Sequence, residues 1–267
     1  MIDTGKRNVL GVLVDVIDYE SAVRRILAAA QAREPLGVTA LAVHGVMTGA
    51  MDPAHRRRLN ELDIVTPDGQ PVRWALNWLH RAHLRDRVYG PRLMLEVCAA
   101  AARESLPIFL FGSRADVLAR LTENLADRFK GLLVVGAKPS AFRRLTPDER
   151  DRLAETIRDS GARIVFVGLG CPRQEVFVYE MRRLVKLPMI AVGAAFEFHA
   201  GFAREAPEWM QRAGLQWLHR LAQNPRRLWR RYVLLNPAYA VLVAAQATGL
   251  WCPEPFPHAT PAEERYG

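Results

Sequence analysis

The sequence predicts an α/β protein whose body is a doubly wound, mostly parallel, Rossmann-like sheet, followed by a helical C-terminal appendage. Short apolar runs alternate with longer amphipathic stretches, which is the pattern of strand–helix units in a parallel sheet. No long segment repeats along the chain, which argues against a solenoid or a propeller. The strand pattern stops near Gly201, and the chain beyond it has helical character.

Several of the predicted strands are unbroken β-branched or aliphatic runs, which suits burial on both faces of a sheet. They are Val9–Ile17, Gly37–Val43, Asp63–Thr66, Pro107–Phe111, Leu132–Val135, Arg163–Val167 and Pro188–Val192. In an open parallel sheet, ligands bind beyond the carboxyl ends of the strands. Candidate functional residues are therefore those that follow a strand.

Helical patterns lie between most of these strands, and one of them carries its own start signal. Thr146 can act as the N-cap, Pro147 occupies the first helical position and Glu149 can close a capping box. A second helical stretch, Val72–His80, follows the turn after the third predicted strand.

The C-terminal part has a different composition. From Arg204 to Arg231 seven arginines stand against two acids, interleaved with tryptophans and leucines. Residues 232–252 carry no charge, but Asn236 and Pro237 interrupt them, which favours an interfacial or core-packed helix pair over a transmembrane helix. We predict a sheet domain over 1–200, a basic helical appendage over 201–252 and a flexible Pro-rich tail over 253–267.

Charge and cysteine content narrow the class of protein. A net charge of +9 in 267 residues favours an anionic partner, such as a phosphorylated substrate, an acidic membrane face or a nucleic acid. Cys98, Cys171 and Cys252 are too few and too scattered for a disulfide framework, which indicates a reducing compartment. The first 20 residues lack the apolar core of a secretory signal, so we expect a cytoplasmic protein.

The segment Gly168–Glu175 has the strongest local signal for a ligand site. Two glycines follow a buried strand, and Pro172 can occupy the first turn of a helix. Accessible backbone amides and a helix N-terminus could therefore bind a phosphate. The spacing is not the dinucleotide fingerprint, because Arg173 stands where that fingerprint needs a small residue. A tight turn without a ligand remains the alternative.

Carboxylates and a serine follow other strands. Asp68 follows a short strand and could be a base or a ribose ligand, although Asp-Gly is also an ordinary turn. Ser113 follows another strand, and Glu197 sits in an apolar run where a ligand could be its partner. We predict no metal site, because the sequence has no HExxH and its histidines are dispersed.

The basic appendage has three interpretations. Arginines could contact phosphates while aromatic residues stack on bases, as in a nucleic-acid-binding protein. The same residues could form an interfacial membrane helix. Tryptophans at helical spacing also occur in ordinary cores, with the arginines solvated.

Several motifs in this order resemble those of the WecG/TagA/CpsF glycosyltransferases over about residues 8–240. They are Thr66–Gly69, Arg87–Gly90, Phe111–Ser113, Gly168–Glu175, Val192–Gly201 and a C-terminal group of Ala206–Trp209, Arg220 and Asn224–Tyr232. The resemblance implies an enzyme that moves a sugar from a UDP donor to a polyprenyl-diphosphate-linked sugar at the cytoplasmic membrane face, without a metal or another cofactor.

The resemblance also implies roles for individual residues. Asp68 would be the general base. The charge on the departing diphosphate would be stabilised by Arg87, Arg220, Arg227 and Arg231. Substrate-binding positions would be Thr39, Gly69, Gly112, Ser113, Gly168, Gly170, Pro172, Gln174, Glu175, Phe196 and Glu197.

Four positions depart from the family pattern. Ala42 stands where an asparagine is usual, and Glu205 where a basic residue is usual. Gln216 and Asn224 replace frequent acids. The identity of the donor sugar is therefore not transferred from the family.

We predict an inverting, metal-independent glycosyltransferase of cell-surface polysaccharide or glycolipid synthesis that moves a hexose or N-acetylhexosamine. Its partners would be a UDP-sugar, a polyprenyl-diphosphate-linked acceptor and the anionic inner face of the cytoplasmic membrane, with no nucleic acid and with homo-oligomerisation left open. The alternatives are a nucleic-acid-binding protein that uses the Arg/Trp-rich segment, and a nicotinamide-dependent oxidoreductase.

Overall fold

The computed structural model describes residues 1–256 and 258–267, with the side chains of Arg227 and Arg231 outside the described part. Its strands are β1 (Asp3–Val9), β2 (Val12–Ile17), β3 (Leu36–Leu41), β4 (Ile64–Pro67), β5 (Ile108–Gly112), β6 (Val134–Lys138), β7 (Ile164–Gly168) and β8 (Pro188–Ala191). In the described chain β3 to β8 form one parallel sheet in the order β4-β3-β8-β7-β5-β6. The predicted mostly parallel sheet is confirmed.

Helices cover both faces of this sheet. They are α1 (Tyr19–Ala32), α2 (Val43–Met51), α3 (Pro53–Asn60), α4 (Gln70–His80), α5 (Gly90–Arg103), α6 (Ala115–Arg128), α7 (Pro147–Asp159), α8 (Arg173–Val185), α9 (Ala195–His199), α10 (Glu208–Arg212), α11 (Gln216–Gln223) and α12 (Pro225–Ala247). Buried residues of α1, α5 and α6 belong to one core, and those of α2, α4, α7 and α8 belong to the other. The fold is therefore doubly wound.

The central strands explain why the sheet is buried on both faces. In β7, Val165 and Val167 contact one core, whereas Ile164 and Phe166 contact the other, because side chains alternate along a strand. All four side chains are fully buried. Each such side chain contributes about 1.5–3 kcal/mol through its removal from water.

The predicted strand Val9–Ile17 is confirmed over β2, Val12–Ile17, but it is not continuous with Val9. The chain instead forms an antiparallel hairpin of β1 and β2, in which Val9 pairs with Val12. Leu10 and Gly11 connect the strands with φ of 56° and 86°, as a tight hairpin turn requires. Asn8 accepts the Gly11 amide at 2.7 Å through its side chain, and this bond stabilises the turn. Gly11 is the one signal for this turn in the sequence, and Leu10 beside it is apolar and buried.

The start of α7 matches the prediction. The Thr146 hydroxyl accepts the Glu149 amide at 3.2 Å, and the Glu149 carboxylate accepts the Thr146 amide at 2.9 Å. Pro147 begins the helix. Hydrogen bonds from the exposed Arg143 guanidinium, with the Thr146 amide next in importance, lower the pKa of Glu149 to about 2.

The appendage contains α10, α11 and α12, and the predicted helix pair over residues 232–252 is wrong. One helix, α12, continues through Pro237, which removes a single amide from the hydrogen-bond ladder. Its second half packs against α2 and α4, with Tyr239 and Val243 buried in the core. Among the described residues, none of the helices combines the length and apolar character needed to cross a bilayer.

The residues after α12 lie along the surface of the domain and make defined hydrogen bonds, where the sequence predicted a flexible tail. Asn8 donates to the carbonyl of Pro253 at 2.9 Å. Arg58 donates to the carbonyl of Ala262 at 2.6 Å. The Glu180 carboxylate accepts the amide of Glu264 at 2.7 Å. The tail therefore crosses α3 and α8.

Candidate active site

A cleft of about 350 Å³ lies at the carboxyl ends of the parallel strands. Residues that follow five strands line it: Ala42 after β3, Asp68 after β4, Ser113 after β5, Leu169 after β7 and Val192 after β8. This is the position that an open parallel sheet predicts for a ligand.

The electrostatics of the cleft favour an anion. Helices α5, α6 and α8 begin at its wall, so their N-terminal amides and positive dipole ends face it. Arg114, Arg173 and Arg220 also line it, together with Asp68 and Glu197. The turn before α8 adds backbone that a ligand can approach, because a Cβ at Gly170 would meet nothing within 4 Å.

Asp68 is held at the rim where β4 ends. Its Oδ1 accepts the Gly90 amide at 2.7 Å, and its own amide donates to the Leu41 carbonyl at 3.2 Å. Gly90 also packs closely on β3, because a Cβ there would lie 3.1 Å from the Ala40 Cβ. The start of α5 therefore fixes the orientation of the Asp68 carboxylate.

Arg87 is buried and makes contacts that differ from its predicted role. Its Nη1 donates to the Asp68 carbonyl at 3.1 Å and to Gln216 Oε1 at 2.7 Å, and its Nη2 donates to Gln211 Oε1 at 2.9 Å. The guanidinium stacks on the Tyr89 ring at 4.3 Å. Arg87 does not line the cleft of about 350 Å³. It instead connects the Asp68 segment to α10 and α11.

A buried polar cluster supports the glycine turn. Gln174 accepts the Gly170 amide at 3.2 Å and donates to Glu175 Oε1 at 2.9 Å. Thr39 donates to the same Glu175 oxygen at 3.1 Å. Burial raises the pKa of Glu175, and its Oε2 has no hydrogen-bond partner in the described part of the chain.

At two positions near the cleft, neighbouring atoms lie too close to leave room for a side chain, which explains why these positions are glycine. Gly112 has a φ of +108°, and a Cβ on it would lie 2.8 Å from the Gly168 carbonyl carbon. A Cβ on Gly168 would lie 2.6 Å from the Phe196 ring. These glycines therefore allow β5, β7 and α9 to meet beneath the cleft.

A second, smaller cavity of about 80 Å³ adjoins the cleft. Asp68, Tyr89 and Arg220 line both cavities, so the Asp68 carboxylate lies at their junction. Helices α2, α4, α11 and α12 also line the smaller cavity, through residues that include His44, Gln70, Pro71, Trp217, Tyr232 and Asn236.

The structure brings most of the sequence-predicted site residues to these two cavities. The large cleft is lined by Asp68, Ser113, Gly168, Gly170, Gln174, Glu175, Glu197 and Arg220. The small cavity is lined by Gly69 and Arg87. Thr39, Gly112, Pro172 and Phe196 do not line the cleft and lie behind it. The side chains of Arg227 and Arg231 lie outside the described part of the chain.

Sequence reasoning missed several contributors. Arg114 and Phe142 line the cleft, and Gln211 pairs with Arg87. Arg114 directly follows the Phe111–Ser113 motif, which could have indicated it, whereas Phe142 lies in a segment without a local motif. Glu197, predicted at the end of a strand, instead lies on α9, the helix that follows β8.

Within residues 1–256 and 258–267, no group of three or more His, Cys, Asp or Glu side chains is arranged to hold a metal ion. The arginines and helix N-termini are the cationic groups available to an anionic ligand.

A cleft at the carboxyl ends of a parallel sheet, lined by arginines, helix N-termini and an oriented carboxylate, is the arrangement expected of an α/β enzyme site. Residues 7–252 match the sequence model of the glycosyl transferase WecG/TagA/CpsF family. Because the match spans most of the 267 residues, the chain belongs to this family. It is a glycosyltransferase of cell-wall polysaccharide synthesis.

Proposed function

We propose that the protein transfers a hexose or N-acetylhexosamine from a UDP-sugar to a polyprenyl-diphosphate-linked sugar, by a single displacement that inverts the anomeric centre. The observation that carries this proposal is the position of Asp68 at the junction of the two cavities. A base placed there reaches a donor in one cavity and an acceptor in the other.

The large cleft suits the donor. Its diphosphate would lie at the glycine turn before α8, where backbone amides, the helix dipole and Arg173 offset its charge. Gln174 lines this site, its side-chain amide donates to Glu175 Oε1, and Thr39 donates to the same Glu175 oxygen. The donor sugar would then extend toward Asp68.

The small cavity suits the acceptor hydroxyl. In the reaction, that hydroxyl oxygen forms a bond to the anomeric carbon, and its proton moves to the Asp68 carboxylate. The bond between the anomeric carbon and the diphosphate oxygen breaks, and UDP leaves with the electron pair. Arg220 lines both cavities and would stabilise the developing negative charge.

Arg87 has a positioning role in this proposal. Its guanidinium is already bonded to Gln211, Gln216 and the Asp68 carbonyl, which leaves it behind the cleft. It would therefore hold the Arg220-bearing helix against the Asp68 segment rather than contact the diphosphate.

The exposed face of α12 supports docking on the inner face of the cytoplasmic membrane. Trp229, Val233 and Leu234 are each about half exposed, and Arg226 and Arg230 are exposed on the same helix. Apolar side chains beside arginines form an interfacial surface for anionic lipid. These exposed side chains lie on α12, the same helix that lines the proposed acceptor cavity through Tyr232 and Asn236.

The transfer reaction is tested by incubating purified protein with a panel of UDP-sugars and a polyprenyl-diphosphate-linked acceptor, and measuring released UDP. We expect one UDP-sugar to be consumed and UDP to raise the melting temperature. If no UDP-sugar is consumed and UDP causes no stabilisation, the proposal is contradicted.

The docking surface is tested by sedimentation with phosphatidylglycerol vesicles. Combined replacement of Trp229, Val233 and Leu234 by serine should release the protein into the supernatant. Leu250→Ser is the matched control, because Leu250 is 84% exposed and lies beyond α12. Unchanged sedimentation of the triple variant would contradict membrane docking through α12.

A further inference from the structure

Gln70 is a buried glutamine in the wall of the smaller cavity. Only 6% of the residue is exposed, and it begins α4 two residues after Asp68. Its side-chain oxygen, Oε1, is buried and has no hydrogen-bond partner in the described part of the chain. Most buried side-chain oxygens in proteins have such a partner, so this exception needs an explanation.

The fold does not require an oxygen at this position. The first turn of α4 is closed by the backbone carbonyl of Gly69, which accepts the amides of Val72 and Arg73 at 3.0 and 3.2 Å. A buried amide oxygen without a partner costs free energy, because folding removes its hydrogen bonds to water. An apolar side chain of the same length would avoid this cost. A ligand in the cavity can instead supply the missing donor.

The position of Gln70 relative to Asp68 is fixed from several sides. The Asp68 carboxylate accepts the Gly90 amide at 2.7 Å. Next to Gln70, the Pro71 carbonyl accepts the Tyr239 hydroxyl at 3.3 Å, which ties the start of α4 to α12. Further along α4, Val72 and Leu76 are fully buried in the core. The two side chains therefore present a rigid pair of polar groups to the cavity.

The other walls of the smaller cavity suit a sugar. Binding sites for small molecules combine mostly apolar walls with a few polar groups that fix orientation. Aromatic side chains of this cavity include Trp217 and Tyr232, whose ring centres lie 5.9 Å apart. A sugar offers C–H groups to such rings and hydroxyls to the polar groups. Arg87 is already bonded to Gln211 and Gln216, so it does not replace Gln70 in contacting a hydroxyl.

We propose that Gln70 selects the acceptor, because its Oε1 accepts a hydrogen bond from a second hydroxyl of the acceptor sugar while the reacting hydroxyl lies at Asp68. The inference rests on the proposed function, since it assumes that the acceptor enters the smaller cavity. Asp68 and Gln70 flank Gly69 and line the same cavity, so one sugar can contact both side chains. A sugar without the matching hydroxyl is disfavoured, because it leaves the buried oxygen unpaired.

The test is a cycle that removes the hydrogen bond from the enzyme, from the substrate and from both. The full chain and Gln70→Met are assayed with the polyprenyl-diphosphate-linked acceptor of the transfer reaction and with analogues that each lack one hydroxyl of its terminal sugar. Methionine has nearly the length of glutamine, but its sulfur is only a weak acceptor.

One deoxy analogue that keeps the reacting hydroxyl should lower the wild-type kcat/KM about 2- to 12-fold, the contribution of one hydrogen bond. Gln70→Met should lower kcat/KM for the complete acceptor by a similar factor. The variant should lose nothing further with that analogue, because the two changes remove the same contact. The Kd for UDP should stay at the wild-type value, since Gln70 does not line the large cleft.

Gln246→Met is the matched control. Gln246 Oε1 accepts the Leu10 amide at 2.9 Å, and its Nε2 donates to the Asn8 carbonyl at 3.0 Å, so both ends of its amide are bonded. Gln246 lines neither cavity. Gln246→Met should lower the melting temperature and leave kcat/KM for the acceptor unchanged, whereas Gln70→Met should keep or raise the melting temperature. Lost stability in Gln70→Met without a change in kcat/KM would show a structural role and overturn the proposal.

The outcomes separate this inference from the proposed function. If the wild-type protein transfers sugar and Gln70→Met discriminates among the deoxy analogues as the wild type does, the role of Gln70 is wrong and the proposed function stands. A loss of UDP binding equal to the loss in kcat/KM would also overturn the role of Gln70. If the wild-type protein transfers no sugar to the acceptor, both proposals fail.

Discussion

Arg87 Nη1 lies 2.7 Å from Gln216 Oε1, and this hydrogen bond joins the segment after Asp68 to the first long helix of the appendage. Gln216 also donates to the Tyr89 hydroxyl at 2.7 Å. The appendage therefore contributes directly to the geometry of the candidate site, because α11 carries both Gln216 and Arg220.

Gln216→Ala should destabilise the protein by about 1–3 kcal/mol, because the buried guanidinium of Arg87 loses an acceptor. Chemical denaturation measures this free energy of unfolding. Gln31→Ala is a suitable control, since the Gln31 side chain donates to the exposed carboxylate of Glu104, and the variant should stay within about 0.5 kcal/mol of wild type. A Gln216→Ala variant as stable as that control would show that the contact carries little energy.

Arg220→Ala should lower kcat more than it weakens UDP binding. Arg220 borders both cavities, and its guanidinium lies 5.8 Å from the centre of the Phe198 ring. In the proposed mechanism it faces the charge that develops on the leaving diphosphate. We expect kcat to fall about 10²–10³-fold, the loss typical of one electrostatic donor. Arg212→Ala, with a side chain 80% exposed and outside both cavities, should retain full activity. A pure KM effect would instead assign Arg220 to ground-state binding.

Acid should destabilise the fold through His55. Burial, and to a smaller extent Arg58, lowers the pKa of His55 to about 4. The unfolded chain, with an ordinary pKa near 6.5, therefore binds a proton that the folded chain does not, so stability falls as the pH drops from about 6.5 toward 4. Between pH 7 and 5 the loss from this residue is about 1–3 kcal/mol.

Denaturation curves of wild type and His55→Leu at pH 7 and pH 5 isolate that contribution. The variant should lose less stability than wild type on acidification. His80→Leu provides a control, because the His80 side chain is less buried than that of His55. The Nε2 of His80 lies 2.7 Å from the Asn8 carbonyl oxygen. Equal acid sensitivity of wild type and His55→Leu would contradict the assignment.

The strands of the large sheet were predictable from sequence because they are buried on both faces, which produces unbroken aliphatic runs such as Arg163–Val167. The helix start at Thr146 was predictable because capping is local chemistry. The hairpin at Leu10 was not, since a buried leucine in a left-handed turn leaves no polar break in the sequence.

The candidate site also contains some residues whose position the sequence predicts and others whose role it does not. Asp68 and the glycine turn follow strands directly, so the rule for parallel sheets placed them together. The roles of Arg87 and Thr39 depend on their partners, Gln216 and Glu175, which are 129 and 136 residues away in sequence. Such long-range pairs are set by packing, and no local motif predicts them.

The role of Asp68 as general base is the central claim, and the kcat of Asp68→Asn tests it most directly. Asparagine has nearly the same shape and can still accept the Gly90 amide through its side-chain oxygen, but it cannot take a proton. We expect kcat to fall about 10²–10⁴-fold, while the Kd for UDP and the melting temperature stay close to wild type. An Asp68→Asn enzyme with wild-type kcat would contradict the account.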